Sequence, residues 1–358
     1  MSDSSGQLVE QVKTALAQGS SLNIIGRGSK AHLGRTASGS PLHLADHSGI
    51  VDYQPVELVV TARAGTPITE INDVLAEHNQ MLSFEPPDCD GAASIGGTLA
   101  CNLSGPGRPW GGSVRDMLLG IRLINGRGEH LRFGGQVIKN VAGYDASRLQ
   151  AGAMGTLGVV TEVSLKVMPK PALTQTLVQQ TDAAEAILIM NRLAGRSQPL
   201  TAACWLDGNL YVRLAGARAA VEAAAAQWSG ERLDGDGGRF WEQLREQQLS
   251  FFAGPAPLWR FSLKPSAPHF LPQASWLLDW GGAQRWLRGD GLDPEFDRGE
   301  LEAAAVAGGG QVSLFRGGDR SGEVFHTQTE MLQTIHKQVK AAFDPRGLFN
   351  PGRLYSWL

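Results

Sequence analysis

Residues 92–112, AASIGGTLACNLSGPGRPWGG, hold six glycines and two prolines but no Asp, Glu or Lys. A run this small and this poor in charge, with Arg108 its one charged residue, lets backbone approach another group closely, because each glycine removes a Cβ and opens φ > 0. Amides freed in such a turn form a concavity that receives a phosphate or pyrophosphate. Taken alone, the run reads equally well as a Gly-rich surface loop. It does not stand alone.

A second cluster, Gly26-Arg27-Gly28-Ser29-Lys30-Ala31, follows the short apolar strand Leu22 to Ile25 and matches the dinucleotide pattern G-x-G-x-x-A. That pattern works only when a helix follows and turns its N-terminus on the pyrophosphate. Gly34, Gly39 and Pro41 interrupt the next residues, so a Rossmann site is set aside. The loop is read instead as gripping a diphosphate with its own amides, helped by Arg27 or Lys30 as point charges. A third Gly-rich element runs from Gly152 to Thr161. Before it, residues 134–145 place Lys139, Asn140, Tyr144 and Asp145 in a small, apolar segment; the alternative there is a plain turn with a helix start capped by Asp145.

Around these loops the first 170 residues alternate between α and β. Leu8, Val9, Val12 and Leu16 space a helix that Gly19 ends. Glu57 to Arg63 reads as a strand, with Thr66 as N-cap and Pro67 as first residue of a helix lined by Ile68, Ile71, Val74 and Leu75. Further on, 181–193 and 215–228 read as helices and 204–214 as a hairpin around Asp207-Gly208-Asn209. Eight of the nine tryptophans fall at 205 or later. That shift sets off a second domain; the chain is read as a domain over 1–171, a smaller α+β domain over 172–325, and a C-terminal helix and tail over 326–358 that packs back on the first. The fold class is α+β with an α/β-like first half.

Composition narrows the functions. With 358 residues the chain can bury a large core. A net charge of -3 gives no electrostatic reason to propose nucleic acid or an anionic membrane as partner. No apolar run reaches the roughly 18 residues of a spanning helix, and Asp3 and Glu10 stand where a signal peptide would be apolar. The cytoplasm is the expected compartment. Cys89, Cys101 and Cys204 are too few for an iron–sulfur cluster, which needs about four thiolates. Any one-electron relay belongs to another chain.

The order of these motifs resembles the flavoproteins of the vanillyl-alcohol oxidase superfamily, with their p-cresol methylhydroxylase type of FAD-binding domain, from Leu22 to about Pro171. Within it, the chain is similar nearly end to end to the FAD-binding E subunits of glycolate oxidases. The strings Phe240 to Gln248, Asp279-Trp280-Gly281-Gly282-Ala283 and Phe349-Asn350-Pro351-Gly352-Arg353 carry that narrower likeness. The resemblance implies that Gly26, Arg27, Gly28, Ser29, Lys30, Leu33 and Gly34, together with Ile95, Gly96, Gly97, Asn102, Ser104 and Gly105, wrap the FAD pyrophosphate. It further implies that Gly155, Gly158 and Val160 pass close to the flavin, that Pro87 and Asp88 lie near its ring, and that Lys139 and Asn140 join the site. Ser29 stands where members that tether FAD carry a histidine, which implies noncovalent FAD; His32, three residues on, is read as a loop residue. A bulky residue at Gly97 is expected to fill the space where backbone meets the pyrophosphate, with added strain if its φ is positive.

Oxidising an α-hydroxy acid needs a group that holds the carboxylate and a base that takes the hydroxyl proton. Catalytic relatives resemble one another in a Gly-Asp-Gly-Asn-x-His segment; here the comparable stretch, Gly308 to Arg316, has no histidine and no carboxylate. No metal site is expected from His43 and His47 or from His326 and His336. Arg108, Lys139 and Tyr144 remain as candidates for chemistry, with Trp110 beside Arg108; the plainer reading pairs Arg108 with a phosphate or an acidic surface and puts Trp110 in a core. The resemblance implies a glycolate oxidase or dehydrogenase assembly, with D-lactate as a second substrate. Its partners would be a catalytic FAD-linked subunit and an iron–sulfur subunit, and it would sit peripherally at the inner membrane face through them. A flavin-fold scaffold serving assembly is the alternative. The Trp-rich stretch from Phe240 to Trp286 reads either as a partner surface or as a packed core.

Overall fold

The computed structural model describes residues 2–135, 145–233, 235–291 and 298–358. Two compact units make up the chain. The first joins Met1–Leu103, Ser113–Pro169 and Arg320–Leu358; the second joins Ser104–Gly112 and Lys170–Asp319.

In the first unit an antiparallel sheet runs in the order Ile50–Gln54, Val59–Arg63, Val159–Lys166, Leu118–Ile124, His130–Gly134. Helices Ile68–Ala76 and Ile95–Cys101 bury Ile68, Ile71, Leu75, Ile95 and Leu99 in one apolar cluster with Val60, Ile121 and Val163 of the sheet. The i, i+3, i+7 spacing of Ile68, Ile71 and Leu75 puts them on one face, and that face is the buried one. Pro67 rather than Thr66 occupies the N-cap, because the Thr66 hydroxyl is taken by Gly49: it accepts from the Gly49 amide and donates to its carbonyl. Helix Ser5–Gln18 ends at Gly19, whose φ of 64° supplies the left-handed turn.

Leu22–Ile25 pairs in parallel with Ser40–His43. Parallel strands are ordinarily joined through a helix; here turns and bends fill residues 26–39, as the glycines and Pro41 require. The last helix spans Glu330–Phe343, and Thr329 sets its start by accepting the Leu332 amide on its hydroxyl. Its one fully buried residue is Lys340. The Lys340 ammonium donates to the Asp344 carboxylate and to the carbonyls of Thr156 and Phe349, at 2.6–2.8 Å. Asp344 in turn accepts the amides of Leu348 and Phe349. A buried charge pair is tolerable only when its remaining donors and acceptors are filled, and here they are.

The second unit is an eight-stranded antiparallel sheet, ordered Glu231–Leu233, Leu173–Gln180, Asn209–Gly216, Leu200–Leu206, Trp276–Asp279, Gln284–Arg288, Leu258–Ser262, Gln311–Arg316. The expected hairpin turns on Asp207 and Gly208, both at positive φ, as a two-residue primed turn demands. Trp241, Trp276 and Trp286 are each 4% exposed and pack edge-on against Phe240, Phe261, Phe270, Phe252 and Phe315. These tryptophans therefore build core, not surface. Among the described residues no helix is long and apolar enough to cross a membrane.

The N-terminus is latched to the first unit through His47. Buried at 1% exposure, its Nδ1 accepts the Ser4 amide at 3.0 Å, which leaves the proton on Nε2 and the ring neutral. Burial holds His47 below the ordinary 6.5, and burial followed by the Arg122 charge does the same to His130. The unfolded chain thus binds protons that the folded one refuses, so stability falls as pH drops below about 6.5. Asp3, held down to about 2 chiefly by the Ser5 hydroxyl, acts in a separate window: its contribution is present above the unfolded carboxylate range and is lost only toward pH 2. Thermal unfolding should show a lower midpoint at pH 5 than at pH 7.5. The double variant His47→Gln/His130→Gln should flatten that slope; an unchanged slope would place the proton uptake elsewhere.

Candidate functional site

A pocket of about 240 Å³ lies within the first unit. Four pieces of chain wall it: the loop 26–31 with the strand before it, Ser94 with helix Ile95–Cys101, the loop 150–160, and Asn350 with Arg353 from the C-terminal turn.

Hydrogen bonds fix these walls against one another. The last carbonyls of the helix, Leu99 and Ala100, accept the amides of Gly152 and Met154. Asn350, 4% exposed, then joins that loop to the strand: its Oδ1 accepts the Ile24 amide at 2.7 Å and its Nδ2 donates to the Met154 carbonyl at 2.6 Å. Gly155 is required beside it, since a Cβ there would lie 2.8 Å from Asn350 Nδ2 and its φ is 71°. Gly96 presses equally close to Ala64, where a Cβ would come within 2.6 Å of the Ala64 methyl. Gly97 differs. It sits inside the helix, outside the set of positive-φ glycines, and its Cβ would meet only Ser94 Oγ at 3.3 Å. The backbone strain anticipated at Gly97 is therefore absent.

The sequence-derived residues distribute as follows. Gly26, Arg27, Gly28, Ser29, Lys30, Gly96, Gly97, Gly155, Gly158 and Val160 line the pocket together. Leu33 and Ile95 are buried in packing, and Gly34 lies tight against the Arg353 carbonyl. Asn102 caps the helix at φ 49°. Pro87 and Asp88 belong to a turn outside the lining, where Asp88 accepts the Gly91 amide. Ser104 and Gly105 belong to the second unit, as does Arg108, whose guanidinium stacks 4.7 Å from the Trp280 ring centre. Trp110 packs on the apolar core of that unit. Lys139, Asn140 and Tyr144 lie outside the described residues. His32 is exposed and away from the lining, whereas Ser29 is part of it. Asn350 and Arg353 were not anticipated as site residues; the sequence singles them out only within the string Phe349 to Arg353 that carries the narrower likeness.

Charge decides what the pocket takes. Among the described residues its lining contains Arg27, Lys30 and Arg353 and no Asp, Glu, His or Tyr. In a chain of net charge -3, three cations facing no acid select an anion. Among the described residues the amides of Arg27, Gly28 and Ser29 donate to no backbone carbonyl, because the loop's own turn bonds begin at Ala31. The amides of Ile95, Gly96 and Gly97, by contrast, are already given to Thr66, Ala64 and the Ser94 hydroxyl. Of these two Gly-rich walls, then, only the 27–29 amides are given to no backbone carbonyl among the described residues. Ala64, Gly96, Gly97 and Ala100 leave the opposite wall without bulk. A dinucleotide diphosphate fits this donor set. Among the described residues no group of three or more His, Cys, Asp or Glu could hold a metal.

Comparison with known proteins agrees with this chemistry. Residues 2–134 match the FAD binding domain family. The chain is 45% identical over 356 residues to the glycolate oxidase subunit GlcE of Escherichia coli K12, spanning 99% of both. It is 27% identical to subunit GlcD of the same organism, over 87% of this chain and 74% of that one. Bacillus subtilis GlcD shares 32% identity over 46% of this chain and only 36% of its own length. Among solved structures, p-cresol methylhydroxylase superposes with a TM-score of 0.71 at 15% identity, covering 99% of this chain and 88% of that one. That last likeness is one of fold.

Asn350→Ala should cost roughly 2–6 kcal/mol, since it strands the Ile24 amide and the Met154 carbonyl at about 1–3 kcal/mol each. Chemical denaturation measures the loss. Gly96→Ala should destabilise by about 1–3 kcal/mol through overpacking on Ala64, while Gly97→Ala changes little; the reverse ranking would show the helix seated differently.

Proposed function

Because this chain belongs to the family of glycolate oxidase GlcE subunits, we propose that it is the FAD-carrying subunit of an assembly that oxidises glycolate to glyoxylate and passes the electrons through partner chains. Its cofactor is FAD. The observation that carries the reading is the pocket with three cations, no acid and a glycine-lined wall. When bound, FAD supplies the capacity to accept an electron pair and release it onward. The chain's own part is to hold the diphosphate on Arg27, Lys30 and the 27–29 amides and to keep bulk out of the opposite wall. Ser29 in the loop gives no imidazole for a covalent link, so FAD is held noncovalently. The partners are a catalytic FAD-linked subunit and an iron–sulfur subunit, since three scattered cysteines cannot carry a cluster here.

One observation favours a role in carrying electrons or in assembly over turnover of substrate. Among the described residues the pocket lining offers no carboxylate, imidazole or phenol to take the hydroxyl proton, and Arg108 is engaged with Trp280, while Lys139 and Tyr144 lie outside the described residues. Glycolate oxidation is then completed on a partner chain.

Acid precipitation of the purified chain should leave its yellow chromophore in the supernatant; colour that stays in the pellet would overturn noncovalent binding. Anaerobic glycolate should not bleach the flavin spectrum of the chain alone. Glycolate:dye reduction should appear only on co-expression with the other two subunits. Full turnover by the single chain would return the chemistry to it, and full activity of the others without it would reduce it to an accessory.

A further inference from the structure

Arg353 is the cation of the pocket that reaches it from the far end of the chain. Its guanidinium donates from Nη1 to the Arg35 carbonyl at 2.8 Å and from Nη2 to the Ala31 carbonyl at 3.1 Å. Its own carbonyl accepts the Arg35 amide, and Gly34 approaches so closely that a Cβ would lie 2.9 Å from that oxygen. Two of its five guanidinium N–H groups are thus given to carbonyls, which orients the fork with donors left over. No carboxylate forms an ion pair with it among the described residues. Burial lowers its pKa, which is the mark of a charge held at a desolvation cost that an anion would offset. The other two cations differ in kind: Arg27 is exposed to solvent screening, and Lys30, buried at 7% exposure with its ammonium donating to the Ser29 hydroxyl, is a point charge without the planar fork.

Resting on the reading of the pocket as the FAD site, we infer that Arg353 is the preordered phosphate-binding residue of this subunit, positioned by the turn that Asn350 anchors, and that it sets the preference for FAD over flavins lacking the diphosphate. A guanidinium fixed before the ligand arrives loses little freedom on binding, so its contribution falls on affinity and selectivity. The neighbouring bonds to Ala31 and Arg35 shape the 27–31 loop at the same time, which couples the cation to the amides it works beside.

The test compares binding of FAD and of riboflavin to the flavin-free full-length chain by fluorescence titration. Arg353→Gln should raise the FAD dissociation constant about tenfold or more while riboflavin affinity changes less than about twofold, as expected for losing one charge-assisted contact. Arg353→Lys, which keeps the charge and gives up the fork, should retain most of the FAD-over-riboflavin ratio, and it decides the matter if the Gln variant does not fold. Parallel weakening of both flavins, or no change in either, would make Arg353 a structural strap and overturn the inference. A wild-type chain that binds riboflavin and FAD equally would also overturn it while leaving a flavin site intact. One that binds neither would remove the FAD reading itself.

Discussion

One asparagine side chain holds the site in shape. Asn350 accepts an amide from the first strand and donates to a carbonyl of the 150–160 loop, each at or below 2.7 Å and shielded from water. Both partners are backbone groups at the mouths of glycine-rich loops, which have no side chains with which to find each other. Fill both bonds and the two loops face across a fixed gap; empty them and two buried polar groups have no substitute. Lys340 and Asp344 support this clamp one turn upstream, by tying Thr156, Leu348 and Phe349 to the last helix.

Glycine is used in two distinct ways around this clamp. Gly96 and Gly155 are small because protein lies where a Cβ would go, so they serve packing. Gly28, at φ 80° with nothing within 4 Å of its missing Cβ, and Gly97, with one hydroxyl nearby, border open space. Only the second kind is available to a ligand. The sequence shows both as the same letter, and a Gly-rich run therefore overstates the length of chain that has open space beside it. The committed amides of Ile95 to Gly97 make the same point: they are spent on Thr66, Ala64 and Ser94 within the protein.

Local pattern was legible wherever neighbours in sequence are neighbours in space. The helix ended by Gly19, the hairpin on Asp207-Gly208 and the helix-free stretch after Gly26 all follow from residue chemistry within a few positions. Thr66 was misread as a cap because Gly49, seventeen residues earlier, claims its hydroxyl. Asn350 and Arg353 were illegible for the same reason at greater range, since no periodicity links residue 350 to residue 24. The tryptophans of the second half carried an ambiguity that only burial resolves. The candidate cluster Lys139, Asn140 and Tyr144 falls outside the described residues, so its chemistry rests on resemblance alone.

The distance along the chain between Ile24 and Asn350 also dictates a timetable. As the polypeptide emerges from the ribosome, the 22–31 loop and the 150–160 loop are exposed for the whole interval before the closing residue is made. Contacts of such high sequence separation form late and slowly, because the loop-closure entropy must be overcome first. The pocket's walls are therefore tied together only once residue 350 has been made, long after both glycine-rich loops.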